Sequence, residues 1–471
     1  MRQWLKKIAG ETGGAEIAEA AVRVESTGNQ RTRCQINNGR KRERGVTILI
    51  TAVAMVVMLA MAALAIDVVT LYVASSEAQK NADAAALAGA KTFVSSGFTS
   101  WQLGDPATGA AQSQVCNGST GLADYQAQAA AQKNFIAGTA PTTVTTSCTF
   151  PQPGNPQITA VVTRTGLPTF FARIWGAGAS SVSATAKAEA FNPSGSSTVP
   201  IKVHSVKPWL IPNCDPNVVW GAAGCPAGKT IVDPATNYAL NNPAAYIGKF
   251  FVFTQAKNPP TPPEYYALDL VPQATDCPSS SAAPAGSCNK LGSTAYHDNI
   301  ACANTALTLS CGDTVNVDPN TNSGPMETKT RQGVQCLIHT TDHGNPTPPS
   351  CTTDTDPDCF VSGAPVTING GQSNPNPAMR VANISRSDSI VTVPIFDYQT
   401  AANNPCPPPP PAGVCGTATV TGFLQLGIQS VSNAGDIGAF ILNASGCDPA
   451  AAGNPAVSGG GISPVPVRLT R

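Results

Sequence analysis

Four histidines and two short acidic or cysteine-bearing clusters are the residues of this chain best placed to do chemistry. In Cys336-x-x-His339-x-x-Asp342-His343, two imidazoles four residues apart would share one face of a helix and could offer themselves to a metal. No Glu sits next to His339 as a zinc protease requires, and Thr340-Thr341 and Gly344-Asn345-Pro346 favour a strand end or turn. A surface loop carrying a disulfide-bonded Cys336 is therefore the better expectation. Asp354-Thr355-Asp356-Pro357-Asp358 places three carboxylates at alternate positions, the spacing a hard-cation loop uses. The full Ca²⁺ pattern then needs Gly sixth and Glu twelfth, where this chain has Cys359 and Pro365, so an exposed acidic loop is expected. Nucleophile elbows, complete G-x-x-x-x-G-K-S/T phosphate-binding loops and dinucleotide-binding glycine patterns are absent from the sequence. The expectation is a protein that is not an enzyme, with no catalytic, cofactor-binding or metal residues, no cofactor, no nucleic-acid partner and no evident small-molecule substrate.

Cysteines carry the remaining chemistry. Of 15, only Cys34 precedes a long apolar run, leaving an even number after it, as a disulfide framework in an oxidising compartment requires. Cys214/Cys225, Cys277/Cys288, Cys302/Cys311 and Cys406/Cys415 bracket turn-rich loops and are expected as local staples, with Cys116/Cys148 as a longer one. Pairing among Cys336, Cys351, Cys359 and Cys447 is not readable from spacing.

The element that positions everything else is that apolar run. Gly45 to Ile66 carries no charge, and as a helix it would be about 33 Å long, enough for a hydrocarbon core of about 30 Å. Ten Lys/Arg against five Glu lie between Met1 and Arg44, ending in Arg40-Lys41-Arg42-Glu43-Arg44, while Asp67 stands at the other end. The basic side should stay cytoplasmic, which puts residues 67–471 outside the cytoplasm, anchored by one pass through the inner membrane. Cleavage after Ala63-Leu64-Ala65 is the alternative, but the stretch is longer than a signal peptide's apolar region. Formal neutrality and 12% charged residues give no electrostatic reason to expect nucleic acid.

Beyond the run, Leu71, Ala74, Ala78, Ala82, Ala85 and Gly89 fall on one face at helical spacing, opposite Ser76, Glu77, Lys80 and Asp83. A contact face of small residues demands close packing, against either the chain's own following sheet or a helix of an assembly partner. A second helix is expected near Ala123–Ala137. Thr142–Phe150, Gln157–Thr165 and Ser181–Phe191 alternate as strands, and Asn192–Ser197 reads as a linker. After it come strand candidates at Val199–Val206, Tyr246–Thr254, Ser389–Phe396, Ala418–Val431 and Asp436–Leu442, separated by proline runs at 259–263, 346–349 and 407–411. The expected fold class is α+β in four parts: a cytoplasmic basic tail (1–44), a transmembrane helix extended into an amphipathic helix (45–66 and beyond), a small membrane-proximal α+β domain (67–192), and a β-rich, disulfide-stapled domain (198–471).

Arg42-Glu43-Arg44-Gly45, the apolar run, Asp67, Tyr72 and Asn81-Ala82-Asp83-Ala84-Ala85-Ala86-Leu87-Ala88-Gly89-Ala90 together resemble the TadG-like N-terminal region of the tight-adherence (Flp) pilus-assembly proteins. Leu167–Ala190 is similar, more loosely, to the region downstream of that segment in the family. The resemblance implies an anchored accessory or scaffold component of pilus assembly at the cell envelope, whose partners are the bilayer and pilus-assembly proteins or its own oligomer. An envelope-anchored adhesive or ligand-binding protein is the alternative. The chain departs from the family in lacking the Asp-x-Ser-x-Ser metal motif some members carry. Its N-terminal extension is also longer, and Gly14-Ala15-Glu16-Ile17-Ala18-Glu19 looks like a pseudopilin-type start without the apolar run that should come after it. Ile50 stands five residues after Gly45, where a prepilin peptidase substrate carries Glu, so processing at Gly45 is not expected.

Overall fold

The computed structural model describes residues 40–470 except 101–108, 152–154, 170, 172, 174–175, 177, 221–222, 257–262, 275–293, 320–323, 341–356, 364, 375, 399–403, 407–414 and 456–462. Two compact units are present, Met1–Ala62 and Ala63–Arg471.

In the first unit, the described residues are helical from Arg40, the start of helix α1 (Arg40–Ser95). Ile48, Leu49, Val53, Met55, Met58, Leu59 and Met61 are all exposed, each more than half bare, so apolar side chains face outward on every side. Among the described residues this is the one helix long and apolar enough to cross a membrane. Transfer of such a surface into lipid is favourable by roughly 25 cal/mol per Å².

The described residues of the second unit include the rest of α1, the short helices α2 (Gly109–Val115) and α3 (Leu122–Lys133), and two larger sheets beside three two-stranded ones. The first sheet is antiparallel. Strands β1 (Thr143–Thr149), β2 (Gln157–Pro168) and β3 (Ala179–Ala190) lie side by side. Alternate residues Ile158, Ala160, Val162, Val182, Ala184, Ala186 and Ala188 face the core, and Thr and Ser occupy the open side.

The other sheet closes on itself. Strands β4 (Trp209–Pro212), β5 (Phe250–Gln255), β6 (Glu264–Ala267), β7 (Ile390–Phe396), β8 (Thr417–Val431) and β9 (Ile437–Gly446) form a six-stranded barrel in the ring order β8, β7, β4, β6, β5, β9 and back to β8. The β4–β7 and β5–β6 pairs are parallel and the others antiparallel. β7 and β9 are buried along their whole length, because interior side chains fill the barrel while loops and helices cover the outside. Helices α4 (Ala295–Ala301) and α5 (Gly324–Leu337) supply Tyr296, Ile300, Met326 and Val334 to the barrel's core.

Strand β10 (Val467–Thr470) pairs with the far edge of β3 in the first sheet. The last part of the chain thus returns to the sheet built by residues 143–190, so that this sheet takes strands from both before and after the barrel segment. The stretch Asn192–Ser197, expected as a linker, begins with packed residues: Asn192 is buried and its side chain bonds Ser194, Ser445 and the Ala444 carbonyl. Strand boundaries expected from alternation lie within a few residues of those observed, whereas alternation gives no sign of Trp209–Pro212, Glu264–Ala267, Val467–Thr470 or helices α4 and α5.

Candidate functional site

The part of α1 inside the second unit carries the face Leu71, Ala74, Ala78, Ala82, Ala85 and Gly89. Ala78, Ala82 and Ala85 have no exposed surface, and the row packs with Ile158, Ala160 and Val162 of β2 and with Ala123, Ala127 and Ala131 of α3. The face offered as a partner surface is therefore internal. Small side chains are required because the elements approach so closely: a Cβ at Gly89 would lie 2.6 Å from Ile158 Cδ1 and 3.2 Å from the Ala123 carbonyl oxygen. What α1 leaves open to solvent is its other side, Tyr72, Ser75, Ser76, Gln79 and Lys80.

Polar residues lock this helix in place. Asp67 is buried, and its carboxylate accepts a hydrogen bond from the Phe171 amide at 3.0 Å. Glu77 accepts from the Ala137 amide at 2.7 Å. The buried Asn81 donates to the Ala131 and Asn134 carbonyls at the C-terminal end of α3. Asp124, in the first turn of α3, gathers the amides of Asn117, Gly118 and Gly121 at 2.7–3.2 Å and the Thr146 hydroxyl at 2.6 Å. Its carboxylate, itself fully buried, thereby ties the loop before α3 and strand β1 to the first turn of the helix. Beside it the Cys116–Cys148 disulfide ties the α2–α3 connection to β1. Cys116, Asp124 and Cys148 are close enough to suggest a metal site, but both sulfurs are consumed in the disulfide and neither is a thiolate ligand.

The C-terminal end of α1 is tied to the barrel. After Ser95 the chain turns at Gly97, at φ +77°, where a Cβ would collide with the Leu442 carbonyl oxygen of β9. Asn443, with no exposed surface, accepts from the Thr99 hydroxyl at 2.7 Å and the Ser100 hydroxyl at 3.0 Å, and donates to Gln425 Oε1 at 2.8 Å and to the Val94 carbonyl. A displacement of the helix end must break this fully buried network, each bond of which costs about 1–3 kcal/mol to leave unmade. The helix end and the barrel accordingly move as one.

The candidate metal residues are scattered or engaged. His339 is buried with its Nε2 3.6 Å from Asp388, and the imidazole holds that carboxyl below its ordinary range. Cys336 is disulfide-bonded; Asp342 and His343 lie outside the described residues, as do Asp354 and Asp356. Asp358 is a structural hub that accepts from the Gly371 amide, Asn374 and the Ser387 hydroxyl. His204 bonds Thr308, and His297 lies 2.8 Å from the buried carboxylate of Asp298. Lys207 is fully buried, its ammonium donating to the carbonyls of Asn299 at 3.2 Å and Cys302 at 2.8 Å, and desolvation pushes it down to about 7 against a weaker opposing pull from Asp388. Tyr296 is raised by burial to about 12 and links the Trp209 indole to Thr330.

The disulfides join Cys116 to Cys148, Cys214 to Cys225 and Cys406 to Cys415. Cys311 pairs with Cys447 rather than with the expected Cys302. Cys302 caps the C-terminus of α4 and is bonded elsewhere, while the Cys311 amide bonds Ile201 and the Cys447 amide bonds Thr421 of β8, which brings two distant loops to a Cα separation of 5.9 Å. Cys277 and Cys288 lie outside the described residues.

Residues 45–92 match the Tad family model, Flp pilus-assembly TadE/G-like. The match begins at the first residue of the apolar run and ends three residues before α1 does, so it spans the membrane helix and the face docked on the sheet. No curated protein and no solved structure matches the chain.

Proposed function

We propose that the chain is a non-catalytic, membrane-anchored accessory or scaffold protein of Tad-type (Flp) pilus assembly. The observation that carries this reading is that the TadE/G-like match coincides with the exposed apolar helix and with the residues that dock its continuation onto the sheet, Asp67, Asn81 and Gly89. The basic cluster before Gly45 orients the N-terminal side to the cytoplasm of an inner membrane. Disulfides throughout the second unit agree with an extracytoplasmic location. Because the small-residue face is internal, a partner meets the opposite side of α1 or the open edge of β1. A helix end tied to a rigid barrel suits a part that transmits position rather than one that turns over substrate.

The test is photocrosslinking in the native host, with the reactive residue at Lys80 on the exposed side of α1 and a control at the internal Ala82. Capture of Tad pilus-assembly components from the membrane fraction through Lys80 and not Ala82 is the expected result. Recovery from the soluble fraction, or no capture of such components through Lys80 or the β1 edge, would overturn the reading.

A further inference from the structure

A cleft of about 400 Å³ opens in the second unit between the last turns of α1, the chain around Pro193–Lys202, the loop before β7 and the segment leading into β10. Its lining is mostly apolar, with Ile201 and Val465 buried beneath it and Ser95, Gln425 and Ser463 among the polar residues. Pro193, Pro200, Pro464 and Pro466 line it as well, and prolines bring no amide hydrogen to satisfy a polar ligand backbone. The rim is charged and unbalanced. Lys91, Lys202 and Arg386 all border the cleft, and Asp388 is the one carboxylate among its lining residues. Asp388 is already engaged by His339 at 3.6 Å. Among the described residues Lys91, Lys202 and Arg386 form no ion pair. Desolvation, with a smaller contribution from the Arg386 guanidinium, holds Lys91 below its ordinary range.

With Asp388 near Arg386 as its one carboxylate, the rim keeps an excess of positive charge beside an apolar cavity, an arrangement that favours an anionic group on the ligand. Ligand cavities commonly span roughly 300–1,000 Å³, mostly apolar, with a few charged groups fixing orientation. We propose that this cleft binds a small organic acid, a compact apolar body that fills the space over Ile201 and Val465 and carries one carboxylate held by Arg386 and Lys91. Arg386 supplies the planar fork that suits a carboxylate, and Lys91 adds a point charge. Lys202 at the rim adds attraction without a defined geometry. The site lies where α1, the barrel loop before β7 and the strand β10 meet, so a bound acid would bridge three parts of the unit.

The test uses the full chain in lipid nanodiscs, with empty nanodiscs as the blank and 4-phenylbutyrate as the probe, measured by titration calorimetry. Saturable binding above the blank is expected, weakened at least tenfold in Arg386→Gln and in Lys91→Gln. Both side chains are solvent-accessible, so these variants keep the fold, checked by circular dichroism. The neutral isostere 4-phenylbutanol should bind at least tenfold more weakly, and inorganic phosphate alone should not compete at equal concentration. Absence of saturable binding, equal binding by the alcohol, full competition by phosphate, or indifference to both substitutions would each overturn the proposal.

Discussion

Gly89→Ala is a substitution whose sign depends on the packing of α1. In an isolated helix it should stabilise, by about 1 kcal/mol, because glycine carries the larger conformational entropy. In this structure the new Cβ would sit 2.6 Å from Ile158 Cδ1, 3.2 Å from the Ala123 carbonyl oxygen and 3.3 Å from the Ala127 Cβ. Ile158 is fully buried, so its terminal methyl has little room to rotate away, and the backbone carbonyl cannot. Overpacking of this kind costs about 1–3 kcal/mol. Net destabilisation of up to about 2 kcal/mol is expected, measured by urea unfolding of the nanodisc-held protein with near-ultraviolet circular dichroism as the probe. The partner variant Ile158→Val alone should cost about 1 kcal/mol. Combined with Gly89→Ala it removes the methyl that clashes, so the double variant should be less destabilised than the two single losses added together, with a coupling of about 1 kcal/mol. Stabilisation by Gly89→Ala, with simple additivity toward Ile158→Val, would refute the close docking of α1 on β2 and leave the small-residue face open to a partner.

The other expected outcomes concern the groups that hold this unit together. Lys207 is neutral in the folded chain above about 7 and protonated in the unfolded chain until about 10.5, so the unfolded state binds the extra proton in that window. Stability should rise with pH between those values by at most about 1.4 kcal/mol per pH unit from this group, and Lys207→Met should remove that slope in a pH series of unfolding curves. Asp124→Ala strips the Asn117 and Gly118 amides and the Thr146 hydroxyl of their acceptor. A loss of about 3 kcal/mol or more is expected in the same urea assay, and an effect below about 1 kcal/mol would contradict the burial described. Peptide mapping without reduction should recover Cys311 linked to Cys447, and Cys447→Ser should lower stability by about 2–5 kcal/mol; recovery of Cys311 linked to Cys302 would show the two loops are not joined.

Several features were legible in the residues alone, because each is set by local chemistry. A run from Gly45 to Ile66 without a charge can only be a helix that finds an apolar surrounding, and the structure leaves that helix bare on all sides. Strands such as Gln157–Pro168, with one buried and one open side, announce themselves by alternation. The short-range disulfide Cys214–Cys225 spans only 11 residues, so its loop closes at little entropic cost.

Tertiary structure decided what depends on residues far apart in the chain. A row of alanines at helical spacing fits a sheet or a partner helix equally well, and only the arrival of Ile158, Ala160 and Val162 across it shows which it meets. β7 and β9 are buried on both sides, so nothing in their composition says that they belong to a closed ring. Asn443 and Asn192 look like surface residues until folding brings Ser100, Gln425 and Ser445 to them. Cys311 found Cys447 across 136 residues, and Val467–Thr470 returned to β3. The cations Lys91, Lys202 and Arg386, separate in sequence, became neighbours around one cleft. Periodicity and charge act over a few residues and can be read in order. Ring closure, sheet partners and charge clusters are set by which distant segments bury each other best, and that choice is made by the whole chain at once.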